Sequence, residues 1–140
     1  MLGIFSSAML HAQLRKIPAE VTDAFKDKYP QASDVEWKDN LTNFEATFSL
    51  DDVEWSAQFS SKGDWRESTK KIDFDALPEA VKDGFSKSKY SDWITGSVRV
   101  IEQNNKPAVY KIYAEKNSIV QKVFLYFNEE GRLLKEAPGI

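Results

Sequence analysis

The chain lacks cysteine altogether and has a single histidine, His11. The missing cysteine excludes disulfides, thiolate nucleophiles, Cys-based zinc sites and a cysteine-linked lipid anchor. It is neutral about compartment, because many exported proteins also lack cysteine. Ser-His-Asp and Cys-His catalysis and His-based metal sites all need imidazole, and His11 falls in a segment that is expected to be removed. Glycine is scarce, and its six copies are scattered, so no Gly-rich phosphate loop can form. Charge of one sign does not dominate: Lys+Arg is 19, Asp+Glu is 22, and the net charge is −3. The charges are interspersed without a basic stripe, which excludes a nucleic-acid binder that must displace counterions from phosphates. Long apolar runs are also absent. The stretch Leu2–Leu10 is well short of the roughly 20 residues that span a bilayer, so no transmembrane segment is expected.

What the opening does contain is a leader-like pattern. Residues 1–13 carry no charge, are apolar from Leu2 to Leu10, and reach small Ala12 just before Gln13. This predicts the tail of a secretory signal peptide cut after Ala12, with its basic leading region missing, and hence a periplasmic or secreted protein. The alternative is a short N-terminal strand or helix.

The body of the chain states one motif twice. Ile17-Pro-Ala-Glu-Val-Thr-Asp-Ala-Phe25 returns sixty residues later as Leu77-Pro-Glu-Ala-Val-Lys-Asp-Gly-Phe85. Proline at a first helical turn costs nothing, and Val21, Ala24 and Phe25 fall on one stripe. Helices are therefore expected over Pro18–Tyr29 and from Pro78 to about Lys89. Gly84 replaces Ala24 and predicts a shorter or closely packed second helix. After each helix, apolar and polar residues alternate in period two, the mark of antiparallel strands with one buried face. Strands are expected over Asp34–Lys38, Asn43–Leu50, Val53–Phe59, Trp65–Lys71, Trp93–Gln103, Ala108–Lys116, Ile119–Phe127 and Arg132–Lys135. The expected organisation is a leader remnant over 1–12, a first α+β repeat over 13–72 and a second over 73–140. Each repeat would be a helix packed on an antiparallel sheet of about four strands. A piece of about 60 residues is marginal alone, so the copies are expected to share a core or a continuous sheet.

Certain residues carry a family resemblance: Pro18, Val21, Phe25, Tyr29-Pro30, Ala32, Val35, Trp37, Phe44-Glu45-Ala46, Phe48, Phe59, Gly63 and Trp65. From Ile17 to the C-terminus the chain resembles the PepSY-like, β-lactamase-inhibitor-like family of exported bacterial proteins. The second copy departs from the pattern at Lys89-Tyr90-Ser91 and lacks a counterpart of Trp37. The resemblance implies an α+β tandem, export to the periplasm or cell surface, no cofactor and no settled activity. It carries over no inhibitory residue.

The two copies differ on the sheet face turned away from the helix. In the first it is polar: Glu36, Lys38, Glu45, Thr47, Ser49, Glu54, Ser56, Gln58 and Arg66. In the second, matching Val123, Leu125 and Phe127 to Trp55, Ala57 and Phe59 turns cations and apolar groups outward together. Arg99, Ile101, Lys111, Tyr113, Phe124, Tyr126 and Leu134 are the candidate partner-binding residues, of types that anchor interfaces. Burial of this face, within the molecule or in a homodimer, is the alternative, and a one-residue slip would exchange every assignment. Asp51-Asp52-x-Glu54 is a solvated hairpin turn without the spacing of a calcium loop. The expected function is an exported, non-enzymatic protein-binding module with no metal or cofactor, inhibition of an enzyme being one form of it. The other reading is a small-ligand or envelope-stress sensor with a pocket between the copies, near Tyr90 and Trp93.

Overall fold

The computed structural model describes residues 16–116 and 121–139. The expected leader and His11 lie outside them, as do Ile119 and Val120. The described elements are α1 (Ala19–Lys28), β1 (Ser33–Asp39), β2 (Phe44–Leu50), β3 (Val53–Phe59), β4 (Trp65–Ile72), a short 3₁₀ turn (Phe74–Ala76), α2 (Glu79–Ser86), β5 (Ile94–Gln103), β6 (Lys106–Lys116), β7 (Gln121–Phe127) and β8 (Leu133–Pro138).

The fold corrects the expected pair of four-stranded modules. All eight described strands join one antiparallel sheet in chain order, accompanied among the described residues by two short α-helices. The strand that was to close the first module continues the sheet: β4 pairs with β5 from Glu67↔Gln103 to Ile72↔Val98. An open edge presents unpaired N–H and C=O groups, and this pairing satisfies those of β4. By its contacts the chain divides within β4 into two compact units, one ending at Arg66 and the next starting at Glu67.

In the first unit, α1 starts at Pro18, whose carbonyl accepts from Val21 N–H at 3.0 Å. The helix buries Val21 and Phe25. Phe25 is the hub of this core: its ring lies 4.9 Å from Phe48, 5.4 Å from Trp37 and 5.8 Å from Tyr29. Phe44, Ala46, Phe48, Ala57 and Phe59 supply the floor from β2 and β3. The β2–β3 hairpin turns on Asp51 and Asp52 alone, both left-handed with φ of 54° and 64°. That is the geometry of a two-residue turn matched to strand twist, and aspartate tolerates it.

The second unit builds its own core from Val81 and Phe85 of α2, Val98 of β5, Ile112 and Ala114 of β6, and Val123, Leu125 and Phe127 of β7. Tyr110 and Leu133 pack against it. Both helices lean on a glycine turn. Gly63 and Gly131 have φ of +91° and +86°, and a Cβ there would stand 2.6 Å from the Glu20 carbonyl oxygen and 2.0 Å from that of Ala80. Gly84 faces the second turn: a Cβ on it would meet the Gly131 oxygen at 2.1 Å. The second helix is thus shorter than the first and closely packed.

Alanine in place of glycine inside an exposed helix stabilises by about 1 kcal/mol. Here the sign reverses. Gly84→Ala is expected to lower stability by about 1–3 kcal/mol through overpacking, seen as a drop in the thermal midpoint. A rise would mean that the helix does not bear on the Gly131 turn.

Candidate binding face of the second unit

Strands β4 to β8 alternate residues across the sheet. Register makes the consequence definite. Val98 pairs with Ile112 and Ile112 with Leu125, and all three are buried. The next row therefore faces the other way. It runs Lys71–Arg99–Lys111–Tyr126–Lys135, one residue from each of five strands. The row beyond holds Thr69, Ile101 and Val109. Between these rows lies a cavity of about 410 Å³ lined by Arg99, Ile101, Val109, Lys111, Tyr126, Leu134 and Lys135, with Glu67, Thr69 and Gln103 at its border.

Of the candidate residues, the structure brings Arg99, Ile101, Lys111, Tyr126 and Leu134 to this groove. Tyr113 and Phe124, directly opposite each other on β6 and β7, form a second cluster with ring centroids 5.3 Å apart. The two clusters touch through Lys111, whose Nζ lies 4.3 Å from the Phe124 ring and 5.6 Å from that of Tyr126. Tyr113 is the most committed of them. Its ring fills the space left by Gly96, and its hydroxyl donates to Glu115 Oε1 at 2.9 Å. Desolvation and that hydrogen bond push its phenol above the usual value.

Lys135 was not among the candidates, because alternation from Leu133 turns it inward. A bulge intervenes: Phe127 pairs with Leu133 while the adjacent Tyr126 pairs with Lys135. Leu134 is the extra residue, 51% exposed, and both it and Lys135 reach the outer face. Lys135 Nζ then lies 5.1 Å from the Tyr126 ring. The only sequence signal for this is the consecutive Leu133-Leu134.

The row is electrostatically uneconomical. Arg99 stands directly opposite both Lys71 and Lys111, and like charges in that position destabilise a sheet. The ion pairs among the described residues lie elsewhere, at Lys82–Glu79, Lys87–Asp83 and Lys89–Glu136. The two lysines beside aromatic rings, Lys111 and Lys135, gain a modest cation–π attraction; among the described residues no such contact is found for Arg99. In the first unit the corresponding face pairs Glu45 with Gln58, Thr47 with Ser56 and Ser49 with Glu54. It is knit by hydrogen bonds such as Asn40 to Glu45 at 3.0 Å.

Two further places matter. Tyr90, expected beside a ligand pocket, is 6% exposed and belongs to the second core, with Trp93 edge-on to its ring at 4.8 Å. Its hydroxyl donates to Glu136. That hydrogen bond, burial and the carboxylate's charge push the phenol up to about 12. A cavity did form that the sequence did not announce, within the first unit. It measures about 660 Å³ and is lined by Thr22, Phe25, Lys26, Tyr29, Pro30, Ala32, Val35 and Trp37. Ala32 and Val35 of its lining flank a register shift in β1 between Ser33 and Glu36, beside left-handed Asp34. Among the described residues no cluster of three His, Cys, Asp or Glu side chains is placed to hold a metal ion, and no helix is long and apolar enough to cross a membrane.

The second unit is thus a helix-backed antiparallel sheet with a groove of cations and aromatics on the face away from its helix. The chain belongs to the beta-lactamase-inhibitor-like, PepSY-like family, whose pattern it matches over residues 42–135. It is similar to a BLIP-like protein from Bacteroides fragilis, at 27% identity over 91% of this chain and 90% of that one, with a TM-score of 0.82. A DUF2874 family protein from Bacteroides ovatus shares the fold at 24% identity, 89% coverage of each chain and a TM-score of 0.85. So does a protein from Bacteroides eggerthii described as periplasmic, at 22% identity over 89% of this chain and 90% of that one, with a TM-score of 0.84. No curated protein matches the sequence.

Two outcomes test the geometry. Arg99→Gln relieves the like-charge contacts and is expected to leave stability unchanged or raise it by up to about 0.5 kcal/mol, with a smaller response to added salt than the parent chain. A loss above 1 kcal/mol in urea titration would show Arg99 to be structural. For Tyr90, the folded chain keeps a proton that the unfolded chain releases near pH 10. The stability this provides is whole below pH 10 and lost as pH rises through about 12. The difference in urea midpoint between the parent chain and Tyr90→Phe should therefore shrink across that window, and a constant difference would contradict the bond to Glu136.

Proposed function

We propose that this protein is an exported, non-catalytic binding module that holds a protein partner on the outer sheet face of its second unit. The observation that carries the proposal is the groove of Arg99, Ile101, Lys111, Tyr126, Leu134 and Lys135. Its tyrosine and arginine are of the types enriched at interface centres, and Leu134 adds exposed apolar surface beside them. The family and the BLIP-like relative support an inhibitor-like role, and the periplasmic description of a structural relative supports export. Inhibition of an enzyme is the narrower form of the proposal. The apolar cavity of the first unit favours a second reading, an envelope sensor for a small apolar ligand. Quenching or enhancement of Trp37 fluorescence by such a ligand would favour it.

The decisive comparison uses two baits, the parent chain and Tyr126→Ala/Leu134→Ser, against the envelope fraction of the source bacterium. A protein retained by the parent and held at least about tenfold less by the variant, at equal thermal midpoint, is the expected result. Undiminished capture by the variant would move the binding surface elsewhere.

A further inference from the structure

The groove also specifies the chemistry of what it holds. Four cations share its row, and Arg99 faces two of the others directly across strands. None of Lys71, Arg99, Lys111 and Lys135 is engaged in the ion pairs found among the described residues. Beyond the modest cation–π contacts of Lys111 and Lys135, like charges in register repel and oppose this arrangement. An arriving anion would reverse the sign of each of these interactions.

The neighbouring row narrows the choice. Ile101, Val109 and Leu134 line the same cavity as Arg99, Lys111 and Lys135. A nucleic acid would meet an apolar strip where it needs continuous positive charge. A sulfated glycan would leave the aliphatic strip without a partner. A lipid surface is met by an amphipathic helix with a broad apolar face, whereas this strip holds only Ile101, Val109 and Leu134. A polypeptide can present carboxylates and an apolar side chain within a few ångströms of each other.

We infer that the occupant is an acidic segment of a partner protein, with carboxylates over Arg99, Lys111 and Lys135 and an apolar side chain among Ile101, Val109, Tyr126 and Leu134. The inference rests on the proposal that this face is the binding surface. Charge complementarity of this kind sets partner choice and association rate more than ultimate affinity. A short isolated segment therefore binds weakly and with steep salt dependence.

The test is a titration of the isotope-labelled chain, followed by amide NMR, with a capped peptide alternating Glu with Leu and Phe. The expected result is shifts at Arg99, Ile101, Lys111, Tyr126 and Lys135. Binding should weaken at least about tenfold in Arg99→Glu/Lys111→Glu and fall as salt is raised. The same peptide with Lys in place of Glu should prefer the charge-reversed variant. If that variant is not folded by its spectrum, Lys135→Glu, on an exposed site of β8, replaces it. Equal binding by parent and variant, shifts mapping off this face, or binding of dextran sulfate or phosphatidylglycerol vesicles without the peptide would each overturn the inference. So would silence toward the peptide. Loss of the native partner from the Tyr126→Ala/Leu134→Ser bait would then leave the surface proposal standing alone, and its retention would remove both.

Discussion

The second unit depends on one constraint, the register of β6 between β5 and β7. Ile112 is held between Val98 and Leu125, and with them it fills the core beneath α2. Because side chains alternate strictly, the same registration fixes Arg99, Lys111 and Tyr126 in a line on the opposite face. Core and groove are two sides of one set of backbone hydrogen bonds. A slip of one residue would bury Lys111 and Arg99 and expose Ile112, a change no ion pairing in the core could offset. The hydrophobic effect that places Ile112 therefore also positions the groove, with no separate device needed to hold it.

The helices secure this registration by backbone contact rather than by capping side chains. Neither helix has a side-chain hydrogen bond at its N-cap. Each instead lays an early carbonyl against a glycine turn that a Cβ would obstruct, Glu20 on Gly63 and Ala80 on Gly131. The Gly131 turn leads directly into β8, so the helix contact and the position of Leu134 and Lys135 are linked along the chain. The bulge at Leu134 then adds a leucine and a lysine to the groove. Its irregularity is what brings Lys135 to the Tyr126 ring.

Much of this was legible in the sequence. Period two gave nearly every strand to within a residue or two, and the duplicated Pro-x-x-Val-x-x-x-Phe motif gave both helices and the inward residues Val21, Phe25, Val81 and Phe85. What was missed is non-local. Nothing within Trp65–Ile72 indicates that its partner is β5, some thirty residues onward, so each copy was given its own sheet of about four strands and a continuous sheet stood only as one of two ways the copies could join. The bulges in β1 and β8 were also hidden, since alternation says which residues share a face only while pairing is regular. One bulge lies beside the apolar cavity at Trp37, and the other recruited Lys135. Tyr90 was misjudged for a related reason: an isolated tyrosine beside Trp93 suits a pocket or a core equally, and only Glu136, arriving from β8, decides for the core.

The two units, alike in their helix-turn contacts, have contrasting outer faces, and the contrast is the physical ground for proposing the second as the binding face. On β2 and β3 every outward charge meets a neutral or complementary neighbour, Glu45 beside Gln58 and Asn40, Ser49 beside Glu54. Such a face is already satisfied, and a partner would have to displace those hydrogen bonds for equal return. The β5–β6–β7 face is unsatisfied in the opposite sense: its cations are solvated, repelled by one another, and set beside side chains that gain by leaving water. A partner covering it would relieve repulsion and bury apolar surface in the same step. Local frustration of this kind costs the isolated fold a fraction of a kcal/mol per pair, small beside the whole stability of a domain, and it is the state from which binding has most to gain.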